Sequence, residues 1–121
     1  MGRPVIHFEV MGADGEKLRR FYHDLFGWAF DAGNSLGYGI VQRETNAAGV
    51  GIGGSVGGTP RGMRRHVTFY VEVPDVDAAL AEAERLGGTR LTGRFGVQPG
   101  VELAQFSDPE GNTVGLVQSQ A

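Results

Sequence analysis

Residues alternate from Val5 to Val10, VIHFEV, so that Val5, His7 and Glu9 share one face of a strand and Ile6, Phe8 and Val10 form the greasier opposite face. Asp14 follows as a helix N-cap. Leu18, Phe21, Tyr22 and Leu25 then recur at the spacing of a single helical stripe until Gly27 stops it. A helix from Gly15 to Phe26 would be about 18 Å long, enough to cross a small sheet, with the Ile6, Phe8, Val10 face as its partner. Short strands are predicted at Trp28 to Phe30, Tyr38 to Arg43 and Val50 to Val56, with the turn signal Gly33, Asn34, Ser35 between the first two. Gly57 to Gly62, GGTPRG, has the composition of a linker and cannot sustain a strand or helix.

The pattern then begins again. His66 to Val73 reads as a strand, Pro74 and Asp75 as a helix start, and Val76, Ala79, Leu80, Ala83 and Leu86 as an amphipathic stripe ended by Gly87 and Gly88. A shift of 61 residues lays Asp14 on Asp75, Leu18 on Ala79, Tyr22 on Ala83 and Leu25 on Leu86. Strands at Arg90 to Thr92, Val101 to Phe106 and Thr113 to Gln118 complete the copy, the last two joined by the turn Asp108-Pro109-Glu110-Gly111-Asn112. The reading is one α+β domain over residues 1–121: module one at about 4–57, a linker at 58–65 and module two at about 66–119, each a βαβββ unit. One helix can cover only one face of its four strands. Pairing the two bare faces gives a cup-like mixed sheet with a helix on the outer face of each module, and a concave sheet surface suits a small-molecule pocket.

Composition narrows the chemistry. The chain of 121 residues has no cysteine, which excludes disulfides, thiolate metal sites and a cysteine nucleophile, so any metal would rely on carboxylates and three histidines. A net charge of -3 leaves no electrostatic footprint for nucleic acid, and Arg61, Arg64 and Arg65 are read as a solvated linker. No apolar run approaches the roughly 20 residues of a membrane span, and no secretory segment is evident, so the cytoplasm is the expected location. Gly49, Gly51 and Gly54 match G-x-G-x-x-G, but Gly57, Gly58 and Pro60 forbid the helix such a nucleotide site requires. The run is read instead as a strand whose missing side chains enlarge a pocket or admit another backbone.

The strand IHFEV at 6–10, the run FYHDLFGW at 21–28, VPDVDAALAEAERLGG at 73–88 and the closing FSDPEGNTVGLVQ at 106–118 resemble the vicinal oxygen chelate superfamily, also called glyoxalase/bleomycin resistance protein/dioxygenase. The resemblance spans essentially the whole chain. It implies the paired-module fold, and a choice among metal-dependent lyases and isomerases, ring-cleaving dioxygenases, epimerases, thiol transferases that inactivate fosfomycin, and proteins that sequester a drug. It also implies where metal ligands would stand, one near the start and one near the end of each repeat. His7 matches the first. Its module-two counterpart is Thr68, a poor ligand, with His66 two residues earlier on the same face and about 7 Å away along the strand. The closing ligand of metal-binding members, a Glu three residues after the Asn of the DPxGN turn, is Gly115 here, and its module-one counterpart falls among Gly51, Gly53 and Gly54.

The expectation is therefore a glyoxalase/bleomycin resistance-like protein that binds a small molecule in the sheet cavity without a catalytic metal or other cofactor. His7, Glu9, His66, Thr68 and Tyr70, with Glu72 beside them, are the substrate-binding residues, and Trp28, Phe30, Tyr38 and Phe95 the aromatic rim. In a catalytic version Glu9 is the carboxylate best placed as general base and His7 orients a substrate oxygen. The alternative is a metal-dependent lyase, isomerase or dioxygenase acting on a substrate with adjacent oxygens, in which a divalent ion stabilises enolate charge. His23 lies off the helical stripe and should face solvent. The expected partners are a small molecule and a second copy of the chain, with no nucleic acid and no membrane.

Overall fold

The computed structural model describes residues 2–31, 39–59, 65–98 and 100–119. The chain divides into two compact units, one of His7–Val67 and one of Met1–Ile6 with Thr68–Ala121. The α+β organisation expected from the sequence is present, with a strand, a helix and further strands in each repeat.

In the unit His7–Val67, the alternating segment forms strand β1 (Val5–Gly12), which begins two residues before the unit does. Asp14 caps helix α1 (Gly15–Phe26): its Oδ1 accepts the Lys17 N–H at 3.0 Å. The helix closes on Gly27, whose φ of 75° is left-handed and lets its N–H reach the His23 carbonyl. Strands β2 (Phe30–Asp31), β3 (Gly39–Val41) and β4 (Gly53–Gly58) follow. Their order is β2-β3-β4-β1, with β4 parallel to β1 and antiparallel to β3.

Several boundaries differ from the sequence reading. The strand expected at Trp28 to Phe30 is Phe30–Asp31, and β3 is shorter than Tyr38 to Arg43, of which Tyr38 lies outside the described residues. The strand expected at Val50 to Val56 starts at Gly53 because Asn46 ties the preceding residues into a turn. Its Oδ1 accepts the N–H groups of Ala48 and Val50, and its own N–H reaches the Val50 carbonyl. Arg43 locks the same loop by donating to the Gly49 and Gly51 carbonyls. At the other end, Gly57 and Gly58 belong to β4 and not to a linker, since they pair with Met11 and Gly12 of β1. A side chain at Gly15 would meet the Gly57–Gly58 backbone at 2.4 Å, so the helix start rests directly on this strand. In the run expected either to enlarge a pocket or to admit another backbone, a Cβ on Gly51 would meet the Glu44 carbonyl and one on Gly53 the Val41 carbonyl, so these two glycines serve close backbone approach.

In the other unit, strand β5 (His66–Val73), most of which lies here, leads to helix α2 (Val76–Arg85). Asp75 Oδ1 accepts the Ala78 N–H at 3.1 Å, the first helix's cap repeated 61 residues later. Strands β6 (Thr89–Arg90), β7 (Phe95–Gln98), β8 (Val101–Ser107) and β9 (Thr113–Gln118) complete the unit. The order is β5-β9-β8-β6, with β7 antiparallel to β8. The strand expected at Arg90 to Thr92 is Thr89–Arg90, and β7 was not expected at all, its four residues FGVQ being short and interrupted by glycine.

The helices differ in what they bury. Val76 and Leu80 of α2 are fully buried against Val73, Ala104 and Leu116. Helix α1 has no buried residue, which corrects the expectation that its whole stripe covers the sheet. Tyr22 stacks on Trp28, which lies against Phe8 at 5.1 Å, but Phe21, Leu25 and Phe26 are each more than half exposed. Ile6 and Leu86, also read as covered, are exposed.

Candidate functional site

The parallel register of β1 and β4 sets His7 beside Gly53 and Glu9 beside Ser55. Paired residues in such a ladder share a face, so the Ser55 hydroxyl stands next to both polar side chains of β1. His7 Nε2 and Ser55 Oγ are hydrogen-bonded at 3.2 Å, with the direction set by the imidazole tautomer. At the start of β5, His66 Nε2 lies 2.7 Å from Glu9 Oε1, and because a carboxylate oxygen accepts, the imidazole N–H donates. Glu9 is 2% exposed and Ser55 equally buried. A carboxylate removed from water needs such a partner. Among the described residues, no buried side-chain nitrogen or oxygen lacks one.

His7 is mostly shielded from solvent. Burial lowers its pKa below the ordinary 6.5, and the negative charge of Glu9 works against that shift without cancelling it. Its ring is therefore neutral near pH 7, able to donate from one nitrogen and accept at the other. His7, Glu9, Ser55 and His66 together present a neutral imidazole, a hydroxyl and a carboxylate–imidazole pair, suited to orienting a molecule that carries oxygens.

The other two candidates are occupied within their own unit. Thr68 is buried, and its hydroxyl donates to the Thr113 carbonyl. Tyr70 is 2% exposed, and its hydroxyl oxygen accepts from Gln105 Nε2 at 3.0 Å. Glu72 is half-buried, and its backbone N–H reaches the Pro4 carbonyl. Ser55 and Gln105 were missed by the sequence reading. Ser55 sits in the run GGSVGG, where alternation has no side chains to show it, and only the spacing Gly53, Ser55, Gly57 marks it as facing one way.

The expected rim is corrected in part. Trp28 packs with Phe8, Tyr22 and Phe26, on the side of β1 opposite His7 and Glu9. Tyr38 lies outside the described residues, and Phe30 and Phe95 are half-buried. His23 is exposed as expected, and its Nδ1 donates to the Trp28 carbonyl at 2.7 Å, holding the chain after α1. A cavity of about 470 Å³ lies elsewhere in this unit, at the corner of β1 and α1, and is lined by none of the four polar residues.

The residues present do not fit the ligand set that the resemblance implies for a metal. Gly115 pairs with Tyr70 in β5 and β9, and a Cβ there would sit 2.4 Å from the tyrosine ring, which fills the place of a carboxylate side chain. The Thr68 hydroxyl is committed to a carbonyl. Gly53 beside His7 has no side chain, and a Cβ on Gly54 would meet the Phe8 ring at 2.3 Å. Among the described residues, no group of three or more His, Asp and Glu is arranged to hold a metal ion.

The repeated units are those of the vicinal oxygen chelate fold. Solved structures of that fold superpose over nearly the whole chain. A Streptomyces coelicolor methylmalonyl-CoA epimerase matches with a TM-score of 0.63 at 16% identity, covering 98% of this chain and 96% of that one. A glyoxalase/bleomycin resistance protein/dioxygenase superfamily member from Vibrio splendidus matches with a TM-score of 0.55 at 17% identity, covering 98% and 100%. The model of the glyoxalase-like domain matches residues 7–117, and the chain belongs to that family. A glyoxylase-like domain-containing protein of Didymella fabae is 30% identical over 87% of this chain and 85% of its own length. The glyoxylase-named protein CFP32 of Mycobacterium bovis is 28% identical over 92% of this chain, which spans only 44% of that relative.

Proposed function

We propose that this glyoxalase-like protein binds a small oxygen-bearing organic molecule on the face formed by His7, Glu9, Ser55 and His66, and does so without the metal used by other members of its superfamily. The observation that carries the reading is the packing of Tyr70 over Gly115, which leaves no room for the closing carboxylate. The support on the binding side is the convergence of four polar groups in one unit, two of them almost wholly buried. Buried polar groups that retain exchangeable hydrogen bonds fix a ligand's orientation.

A thermal-shift screen of hydroxy-carbonyl compounds, 2-oxo acids and thiol adducts tests it. A stabilising hit on the wild type should be weakened in Ser55→Ala, which removes a neutral hydrogen bond, and weakened about tenfold or more in Glu9→Gln, which removes the carboxylate's charge. Hits that bind both variants as tightly as the wild type would remove this face from the account.

The 2.7 Å contact between His66 and Glu9 favours a second, catalytic reading in which the same face moves a proton. Glu9 would take a proton from carbon next to a carbonyl, His7 would hold the carbonyl oxygen, and Glu9, after exchanging that proton with solvent, would deliver a solvent-derived proton to the same carbon. The epimerases among the structural neighbours are compatible with such chemistry. Incorporation of deuterium from solvent into a bound hit, abolished in Glu9→Gln, would establish it. Unlabelled ligand recovered from the wild type would leave binding as the whole function.

A further inference from the structure

We infer that the corner between β1 and α1 is a second binding site, separate from the His7–Glu9 face, for an amphiphilic carboxylate: an anionic head on a short apolar body. The cavity there has a volume of about 470 Å³, within the range of roughly 300–1,000 Å³ for small-molecule sites. Its apolar wall is made by Met11, Leu18, Phe21 and Tyr22, and its cationic side by Lys17 and Arg65. Among the described residues, neither Lys17 nor Arg65 is in an ion pair. Asp14 also lines the cavity, but its carboxylate is engaged as the cap of α1 through the Lys17 N–H.

Among the described residues Lys17 and Arg65 make no ion pair, and against the single carboxylate of Asp14 they leave a surplus of positive charge in the cavity. The apolar side has an equally clear demand. Phe21 is 56% exposed and Leu25, one turn further along the same stripe, 59%, so the wall continues out of the cavity as an uncovered ridge. An alkyl or aryl body lying from Leu18 along Phe21 would cover apolar surface that the fold itself leaves in water, while its head met Lys17 and Arg65.

Octanoate, 1-octanol and octyltrimethylammonium serve as probes, titrated below aggregation into the full chain and followed by backbone amide shifts in heteronuclear NMR. Octanoate should shift the amides of the β1–α1 corner saturably and leave His7 and Ser55 unmoved. Octanol should bind at least tenfold more weakly, and the ammonium probe not at all. The double variant Lys17→Gln, Arg65→Gln should reduce octanoate to the affinity of octanol, and Phe21→Ser should weaken both. All three positions are exposed, so the variants should fold, which their amide spectra report directly. Equal binding of octanoate and octanol, unchanged affinity in the double variant, shifts centred on His7 and Ser55, or a doubled mass that buries this corner against a second copy would each overturn the inference. None of these results depends on whether the His7–Glu9 face binds its own ligand.

Discussion

His7 is the residue whose role changes most when its surroundings are known. Its strand position and residue type match a metal ligand, yet its Nε2 is turned to the Ser55 hydroxyl and its neighbours across the ladder are glycines. The lowered pKa has a consequence for stability. A histidine whose folded pKa is depressed below 6.5 binds its proton more readily when unfolded, so the stability it contributes is complete above the unfolded value and is lost as pH falls below about 6.5. Replacing it by Gln should flatten the decline of unfolding free energy between pH 7 and 5, measured by urea titration at each pH. A decline as steep in His7→Gln as in the wild type would show that other groups carry it. The same strand face was legible in the sequence through alternation, which put His7 and Glu9 together. Ser55 was not, because glycines on both sides erase the contrast that alternation depends on. His66 was read as a substrate-binding residue, too far along the strand to replace Thr68 as a metal ligand, and its ring is hydrogen-bonded to Glu9.

At the scale of elements, the helices were the most legible parts. Both Asp caps, their spacing and the glycine stop after α1 follow from local chemistry that no tertiary contact overrides. Strand ends were less so. The start of β4 is decided by Asn46 and Arg43, residues outside the strand, and its end by pairing of Gly57 and Gly58 with β1. The stripe pattern also concealed an asymmetry, since it looks alike in α1 and α2 while only α2 is buried. Leu80→Ala should therefore cost about 2–5 kcal/mol, and Phe21→Ala no more than about 0.5 kcal/mol, in denaturant midpoints read at constant m. Comparable losses at the two positions would mean that α1 is covered in solution. In β9, Gly115→Ala should cost about 1–3 kcal/mol through its clash with the Tyr70 ring, and near-neutral behaviour would remove the argument that this place is filled.

For the molecule as a whole, two tandem copies of one supersecondary unit explain why a short chain of ordinary composition forms a glyoxalase-like domain. The repeat was visible because 61 residues separate equivalent caps, and the fold followed from it. The chemistry did not, because fold membership is shared by enzymes and binders alike and only individual positions separate them. Among the described residues no helix is long and apolar enough to cross a membrane. The central claim is that this chain holds its ligand through His7, Glu9, Ser55 and His66 and has given up the superfamily's metal. Elemental analysis of protein purified without chelator, followed by thermal unfolding with added nickel, zinc, manganese or iron, tests it most directly. The account predicts well under one equivalent of any metal per chain and no saturable stabilisation by any of the four. A stoichiometric metal, retained through purification and removed only with loss of stability, would contradict it and restore the metal-dependent lyase, isomerase or dioxygenase reading.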